Sequence, residues 1–175
     1  LGIDKELTAL NETLNFHTLN DECKHLIRQR ESDTIEFKET IRINSATGNV
    51  DKIIRKEIVI AINAFINSDG GYLIVGVKDK TYEIIGLERD IKTFKVDGKD
   101  GLLNNISDLF KENFEAKFIK NNITYNFVNV EGKDLLMFKI DMSYDECFID
   151  GKEAFYRTNP ASLPLVGKNL VDYFK

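Results

Sequence analysis

Three acidic residues in this sequence could act together, although they lie far apart along the chain. Glu31 lies between a predicted helix and a predicted strand, Glu36 lies on the polar face of that strand, and Asp79 follows an apolar strand. If the two strands are neighbours, their carboxylates meet at one end of a sheet, with Lys38 beside Glu36 to hold a phosphate oxygen. Such a group suits Mg²⁺ or Mn²⁺, which prefer oxygen ligands and can activate water to cleave a phosphodiester. Acids at the ends of helices and strands are also commonly just solvated, so both interpretations stay open.

A second group of candidate residues is basic. Cations that share one surface neutralise phosphates and bind nucleic acid without reading its sequence. The same cations could form an ordinary ion-paired helix surface, because Glu22, Asp51 and Glu57 are interleaved with them. The candidates are Lys24, Arg28, Arg30, Lys52, Arg55, Lys56 and Arg157.

Other patterns that carry chemistry are weak. The glycines of the turn Asp69-Gly70-Gly71 would let backbone N–H groups approach a phosphate, but no P-loop lysine follows and no G-x-G-x-x-G occurs. A plain helix-to-strand turn is the better interpretation. The two histidines and two cysteines lack the paired spacing of zinc sites, and no serine or cysteine nucleophile motif is present.

Length and composition narrow the class of protein. The chain has 175 residues, 42% of them hydrophobic and 30% charged, which suits one globular domain. A net charge of −5 argues against coating nucleic acid through bulk charge, but it allows a local basic surface. Two cysteines and no visible signal peptide predict a reduced, cytoplasmic protein. The longest apolar stretch, residues 58–66, is too short to cross a bilayer, so no membrane partner is expected.

The elements that must position these residues follow from hydrophobic periodicity. Because the first residue is leucine, we expect residues 1–19 to be a helical extension or a linker from a longer chain, and residues 20–175 to form the domain. The strands cluster with few helices between them, which predicts an α+β fold with a mixed sheet and two amphipathic helices, 51–67 and 101–114, on one face. The remaining predicted elements are helices 4–15, 21–30 and 170–175, a break at 15–20, strands 34–43, 72–77 and 83–87, and hairpins 118–130/135–140 and 147–149/154–157.

Four segments, in this order, resemble the motifs of one family. Residues 31–38 read ESDTIEFK, residues 60–79 read IAINAFINSDGGYLIVGVKD, residues 85–87 read IGL, and residues 155–159 read FYRTN. These segments resemble the Schlafen-type AlbA-like domain, and the resemblance extends over about residues 20–170.

The resemblance implies an α+β domain that engages DNA or RNA. In Schlafen members a centre of three carboxylates makes the domain a metal-dependent endoribonuclease that acts on structured RNA such as tRNA. The matching positions here are Glu31, Glu36 and Asp79, which implies Mg²⁺ or Mn²⁺ as the cofactor. Lys78 departs from the pattern, since an acid is common just before that aspartate.

The leading functional hypothesis is therefore a nucleic-acid-binding domain that cleaves RNA with a metal. It predicts that Glu36→Ala abolishes cleavage while the fold survives. The alternative is a non-catalytic DNA-binding or transcription-regulatory module that contacts the phosphate backbone through Arg28, Arg55, Lys56 and Arg157. A third hypothesis gives the N-terminal helix a role in forming a homodimer or in binding other domains of a longer parent chain. A restriction-endonuclease-like use of residues 36–38 ranks last, because the usual preceding aspartate strand is missing.

Overall fold

The structure is a computed structural model. It describes residues 3–175, with the side chains of residues 8, 9 and 11–17 outside the description. Six helices and six strands lie in this part of the chain. The helices are α1 (Ile3–Gln29), α2 (Lys52–Ile66), α3 (Glu88–Lys92), α4 (Gly98–Asn113), α5 (Ala116–Asn122) and α6 (Lys168–Tyr173), and the strands are β1 (Ile35–Lys38), β2 (Gly71–Val75), β3 (Ile123–Val130), β4 (Lys133–Ile140), β5 (Ala154–Arg157) and β6 (Ser162–Leu165).

The main sheet has four strands in the order β1-β2-β4-β3. β1 and β2 are parallel, with Phe37 opposite Ile74, because α2 carries the chain back between them. β2 pairs with β4, and β4 with β3, in antiparallel fashion. β1 is thus an edge strand, and the sheet is mixed as the sequence predicts.

Helices cover both faces of this sheet. Ile62 of α2 and Phe110 of α4 share one buried cluster with Phe138 of β4, so the two amphipathic helices lie on one face as predicted. On the other face, Leu26 in the last turns of α1 shares a second cluster with Ile74 of β2. The predicted α+β fold is confirmed, but the sequence does not predict the layer that α1 forms.

α1 is one helix of 27 residues, so the predicted break at 15–20 was wrong. Neither glycine nor proline occurs between residues 3 and 29 to end it earlier. The helix ends where Arg30 adopts a left-handed backbone with φ of 69°. Glu31 follows directly after this turn.

The first half of α1 exposes apolar side chains. Ile3, Leu7 and Leu10 are 76%, 58% and 60% exposed, and Leu14, on which the predicted helix 4–15 also rests, lies outside the described side chains. The boundary at residue 19 and the expected dimer or parent-chain contact stay predictions.

The C-terminal strands differ from the expected pairing. The hairpin of β3 and β4 is confirmed, with Glu131 and Gly132 at positive φ in its turn, although residues 118–122 are helical. The second predicted hairpin was wrong: β5 pairs with β6, and only one bridge, Ile149 with Glu153, forms on its other side among the described residues.

Two buried asparagines on α2 attach the segments around β5 to the helix. The Asn63 side chain donates to the carbonyl oxygen of Cys147 at 3.0 Å and accepts from the N–H of Phe155 at 2.8 Å. The Asn67 side chain accepts from the N–H of Cys147 and donates to the carbonyl oxygens of Cys147 and Phe155. Because these buried backbone groups are satisfied by side chains of Asn63 and Asn67, β5 is fixed beside α2.

The turn from α2 into β2 requires glycine. Gly71 has a φ of 150°, and a Cβ there would clash with the carbonyl oxygen of Thr34 and lie 2.7 Å from the Phe65 ring. The turn therefore sets how closely β2 approaches the chain that leads into β1.

We expect Gly71→Ala to lower the free energy of unfolding more than Gly132→Ala does. Gly132 also has a positive φ, but its Cβ would meet open space. The control should cost roughly 1–2 kcal/mol through backbone strain alone. The clash at Gly71 should cost roughly 1–3 kcal/mol more. Urea titrations of the two variants measure the difference, and equal losses would contradict the close approach.

Candidate functional site

The three acids singled out by the sequence line one cavity beside the edge strand β1. The cavity has a volume of about 300 Å³, and its walls include Glu31, Glu36, Lys38 and Asp79. Residues of α2, among them Glu57, and the segment Pro160–Ser162 also line the cavity. β1 and β2 are neighbours, which is the arrangement that brings Glu36 and Asp79 to one place.

Glu31 is placed by a hydrogen bond to the edge strand. Its Oε1 accepts from the N–H of Phe37 at 2.9 Å. Burial raises the pKa of Glu31 most, and the negative charges of Glu36 and Asp79 raise it further. The hydrogen bond from Phe37 lowers this pKa, but the net result is a raised pKa. The Glu36 and Asp79 carboxylates are therefore close enough to Glu31 to disfavour its negative charge.

Glu36 is buried, and both of its oxygens are engaged. Oε2 accepts from Nη1 of Arg157, and Oε1 lies 3.0 Å from Nζ of Lys38. Only 8% of Glu36 is exposed. Removing its carboxylate would leave the Arg157 charge buried without a carboxylate partner, a change that typically costs about 3–5 kcal/mol. The expectation that Glu36→Ala leaves the fold intact therefore conflicts with the structure.

Arg157 lies in the interior and not on a binding surface. Its Nη2 donates to the carbonyl oxygen of Ser32 at 2.8 Å, and its Nε donates to that of Asp33 at 3.2 Å. The guanidinium also lies over the Phe65 ring, 4.6 Å from the centroid. These contacts leave Arg157 unavailable to a phosphate backbone, contrary to its sequence-based assignment. The structure identifies it instead as the partner of Glu36, a pairing that no spacing in the sequence indicates.

Lys38 carries a positive charge into the cavity. Burial lowers its pKa, but the charge and hydrogen bond of Glu36, with help from Glu57 and Glu31, more than offset this, so the pKa is raised. Glu57 lies 3.8 Å away. A lysine held in its charged form can contact a phosphate oxygen but does not act as a base.

As the three acids stand, they are not arranged as the metal site that the sequence led us to expect. Among the residues described here, no group of three or more histidine, cysteine, aspartate or glutamate side chains is arranged to hold a metal ion. The engagement of both Glu36 oxygens by Arg157 and Lys38 explains why the three acids can share a cavity without forming such a group.

The predicted cations of α1 are exposed. Lys24 and Arg28 lie on its last turns, and Arg30 follows with its guanidinium 5.5 Å from the centroid of the Tyr82 ring. None of the three has an ion pair with any residue that the structure describes. We refer to Lys24, Arg28 and Arg30 as the α1 cations.

The predicted cations of α2 differ among themselves. Lys52 is exposed, Arg55 is half-buried, and neither has an ion pair within the described part of the chain. Lys56 lies 3.2 Å from Glu153. Because α1 and α2 lie on opposite faces of the sheet, the predicted cations form two groups and not one continuous layer.

No helix in residues 3–175 is long and apolar enough to cross a membrane.

A family model matches most of the chain. The model described as Schlafen, AlbA_2 matches residues 31–166, a range that begins at Glu31 and includes all four sequence motifs.

Comparisons with individual proteins find similarity at 29% sequence identity or less. The chain is 29% identical over 114 residues to the "Uncharacterized ATP-binding protein UU034" of Ureaplasma parvum, covering 65% of this chain and 29% of that protein. The crystal structure of the DIP2311 protein from Corynebacterium diphtheriae matches with a TM-score of 0.53 at 17% identity, over 75% of this chain and 22% of that one, which shows a similar fold. The N-terminal domain of a RecG-related protein from Nitrosomonas europaea, solved by NMR, matches with a TM-score of 0.43 at 19% identity, over 68% and 72% of the two chains.

The burial of Glu31, together with the neighbouring acids, predicts how Glu31 affects stability. A raised pKa in the folded protein means that Glu31 contributes stability below its ordinary pKa of 4.5, and this stability is lost as the pH rises through the folded-state value. Glutamine removes the charge and keeps an oxygen that can accept from Phe37. We expect Glu31→Gln to be more stable than the wild type at neutral pH and to lose that advantage as the pH falls below the ordinary value.

Urea unfolding across this pH range tests the expectation. Glu112→Gln, at an exposed acid on α4, is the matched control and should follow the wild-type profile. A Glu31→Gln variant that is less stable than the wild type at neutral pH would show that the carboxylate is not crowded by like charges.

Proposed function

The chain belongs to the Schlafen AlbA_2 family, and on that premise we propose that it is a nucleic-acid-binding domain that contacts the phosphate backbone through the α1 cations. The observation that carries the proposal is the exposure of Lys24, Arg28 and Arg30 without ion pairs to described residues, in a chain where 29 acids outnumber 24 basic residues. Cations left unneutralised in an acidic protein form a local surface to which a polyanion is attracted.

The spacing of these cations supports contact with successive phosphates. Lys24 and Arg28 are four residues apart and so lie on one side of the helix. Arg30 follows the helix and adds a third exposed cation, with its guanidinium over the Tyr82 ring. Cations at a helix C-terminus also interact favourably with the helix dipole, by about 0.3–1 kcal/mol, so measurements of stability and of binding must be kept apart.

The acidic cavity does not take part in this binding. Glu31 and Asp79 would repel a phosphate, and the charge of Lys38 is already shared between Glu36 and Glu57. Binding through the α1 cations therefore needs no metal ion.

We expect the double variant Lys24→Gln/Arg28→Gln to bind RNA and DNA oligonucleotides more weakly than the wild type. Each lost phosphate contact should reduce the slope of log affinity against log salt by about 0.7–0.9. Fluorescence anisotropy over about 50–200 mM salt measures both quantities. Running the same series with RNA and DNA, single-stranded and double-stranded, identifies which polymer is preferred.

Lys92→Gln/Lys111→Gln is the matched control for charge. Both lysines are exposed and are paired on their own helices, with Glu88 and Asp108. This variant should bind as the wild type does. If the two double variants weakened nucleic-acid binding equally, net charge alone would explain the effect, and the α1 cations would not be the binding surface.

We propose metal-dependent RNA cleavage at the cavity as a second candidate function. The observation in its favour is that Glu31, Glu36 and Asp79 line the same cavity and crowd one another. The observation against it is that Glu36 is held by Arg157 and Lys38, so a metal could use Glu36 only after those contacts open.

Incubation of a structured, tRNA-like RNA with the protein and Mn²⁺ tests the second candidate. Asp79 is exposed, so Asp79→Asn should leave the fold intact and abolish cleavage if the cavity is catalytic. Asp69→Asn, at an exposed acid near the other end of β2, is the control and should cleave normally. Absence of cleavage by the wild type, or cleavage unchanged in Asp79→Asn, would exclude this candidate.

A further inference from the structure

Two arginines outside the acidic cavity have buried N–H groups for which no described residue provides a hydrogen-bond acceptor. Arg42 lies in the segment after β1, and Arg55 lies in the first turn of α2. The Nε atom of each is buried and has no hydrogen bond with any described residue. Neither guanidinium has an ion pair within the described part of the chain. A buried N–H without an acceptor is costly, so an acceptor is expected at this place.

The backbone brings the two arginines together. The carbonyl oxygen of Arg42 accepts from the N–H of Asp51 at 2.8 Å, and the carbonyl oxygen of Asp51 accepts from the N–H of Arg55 at 3.4 Å. Burial lowers the pKa of Arg42, the positive charge of Arg55 lowers it further, and the negative charge of Asp90 only partly offsets these effects. The two guanidinium groups therefore repel each other.

The nearby carboxylates are occupied by other groups. Asp51 precedes Arg55 by four residues, but its oxygens accept from the N–H of Ile53 at 2.8 Å and from the side chain of Asn44 at 3.0 Å. Asp90 is buried, and its Oδ1 accepts from the N–H groups of Ile41 and Arg42. The remaining oxygen of Asp90, Oδ2, is buried, has no hydrogen bond with any described residue and is not within ion-pair distance of Arg42.

Arg42 is also held in position from its other side. Its guanidinium lies over the Phe94 ring, 4.6 Å from the centroid. Its backbone N–H is fixed by Asp90 at 3.0 Å. An arginine held at both ends loses little freedom when it binds a ligand, which favours affinity.

We propose that Arg42 and Arg55 form a phosphate-binding site separate from the acidic cavity, and that its ligand is a backbone phosphate of the bound nucleic acid. A phosphate would separate the two positive charges and accept from the guanidinium N–H groups, which match its oxygens in geometry. The choice of a backbone phosphate rests on the proposed function, whereas the phosphate chemistry does not. A free nucleotide or inorganic phosphate could offer the same group, so the experiment separates the two sources.

Pyrophosphate is the probe for free phosphate, and an oligonucleotide is the probe for backbone phosphate. The first readout is the pair of arginine Nε–H NMR signals of the full chain, assigned with Arg42→Lys and Arg55→Lys. We expect pyrophosphate to shift both signals in the wild type. We also expect Arg42→Gln or Arg55→Gln to weaken pyrophosphate and oligonucleotide binding by about tenfold or more, since a hydrogen bond to a charged group is typically worth about 1.5–3 kcal/mol.

Lys56→Gln is the matched control, because it removes one positive charge from the same helix turn at a lysine already paired with Glu153. It should change neither Nε–H signal and should leave pyrophosphate affinity within about twofold of the wild type. If a glutamine variant fails to fold, the lysine variants keep the charge and lose the guanidinium fork. They should still weaken pyrophosphate binding several-fold.

The outcomes distinguish this site from the proposed function. If the oligonucleotide binds the wild type and both glutamine variants equally, the backbone-phosphate ligand is overturned and the proposed function stands. If pyrophosphate binding depends on the two arginines but no oligonucleotide binds, the site takes a free phosphate compound, and both the backbone ligand and the proposed function are overturned. If pyrophosphate moves neither Nε–H signal and neither arginine affects oligonucleotide binding, the phosphate site is overturned.

Discussion

The buried ion pair between Glu36 and Arg157 is the interaction on which the arrangement of the site depends. It joins the edge strand of the main sheet to a strand 121 residues later in the chain. Because a buried charge that loses its partner is very unfavourable, β1 and the β5–β6 pair must stay together, and the chain that follows β5 forms one wall of the cavity. The same interaction removes Glu36 from the free carboxylates and Arg157 from the surface cations. This single contact thus keeps the Glu36 carboxylate and the Arg157 guanidinium from acting as free charges on the protein surface.

The distribution of charge explains how an acidic protein can bind a polyanion. Surface charges are screened over about 8–10 Å at ordinary ionic strength, so a phosphate responds to nearby cations more than to the net charge of −5. Lys24 and Arg28 lie on the face of the sheet covered by α1, and Arg42 and Arg55 lie on the side covered by α2. Neither pair is neutralised by a carboxylate of the described residues. The two pairs of cations lie on opposite sides of the sheet. A ligand that contacted both pairs would have to reach around the edge of the domain and could not lie on one flat face.

Hydrophobic periodicity and motif order were sufficient to predict the fold class, the two helices on one face and the first hairpin, and they indicated that Glu31, Glu36 and Asp79 could meet at one end of the sheet. These features depend on local patterns or on strands that are neighbours in the sheet. The buried position of Arg157 could not be predicted, because it depends on a contact across almost the whole chain, and the alternation of polar and apolar residues assigned Glu36 to the solvent side. The pairing of β5 with β6 was missed for a similar reason, since the turn signals on the two sides of β5 do not indicate which neighbour it pairs with. The predicted break at 15–20 was wrong because asparagine lowers helix propensity only modestly and does not by itself end a helix.

α1 also fixes a distance within the molecule. A continuous helix rises about 1.5 Å per residue, so Leu7 and Arg28 are held about 30 Å apart along its axis. Successive base pairs of a duplex are about 3.4 Å apart, so this separation equals the length of roughly nine base pairs. A second protein that bound over Ile3, Leu7 and Leu10 would therefore lie almost one turn of a double helix away from a phosphate bound at Arg28. The helix would act as a rigid spacer that sets how far from the bound nucleic acid a second protein body can lie.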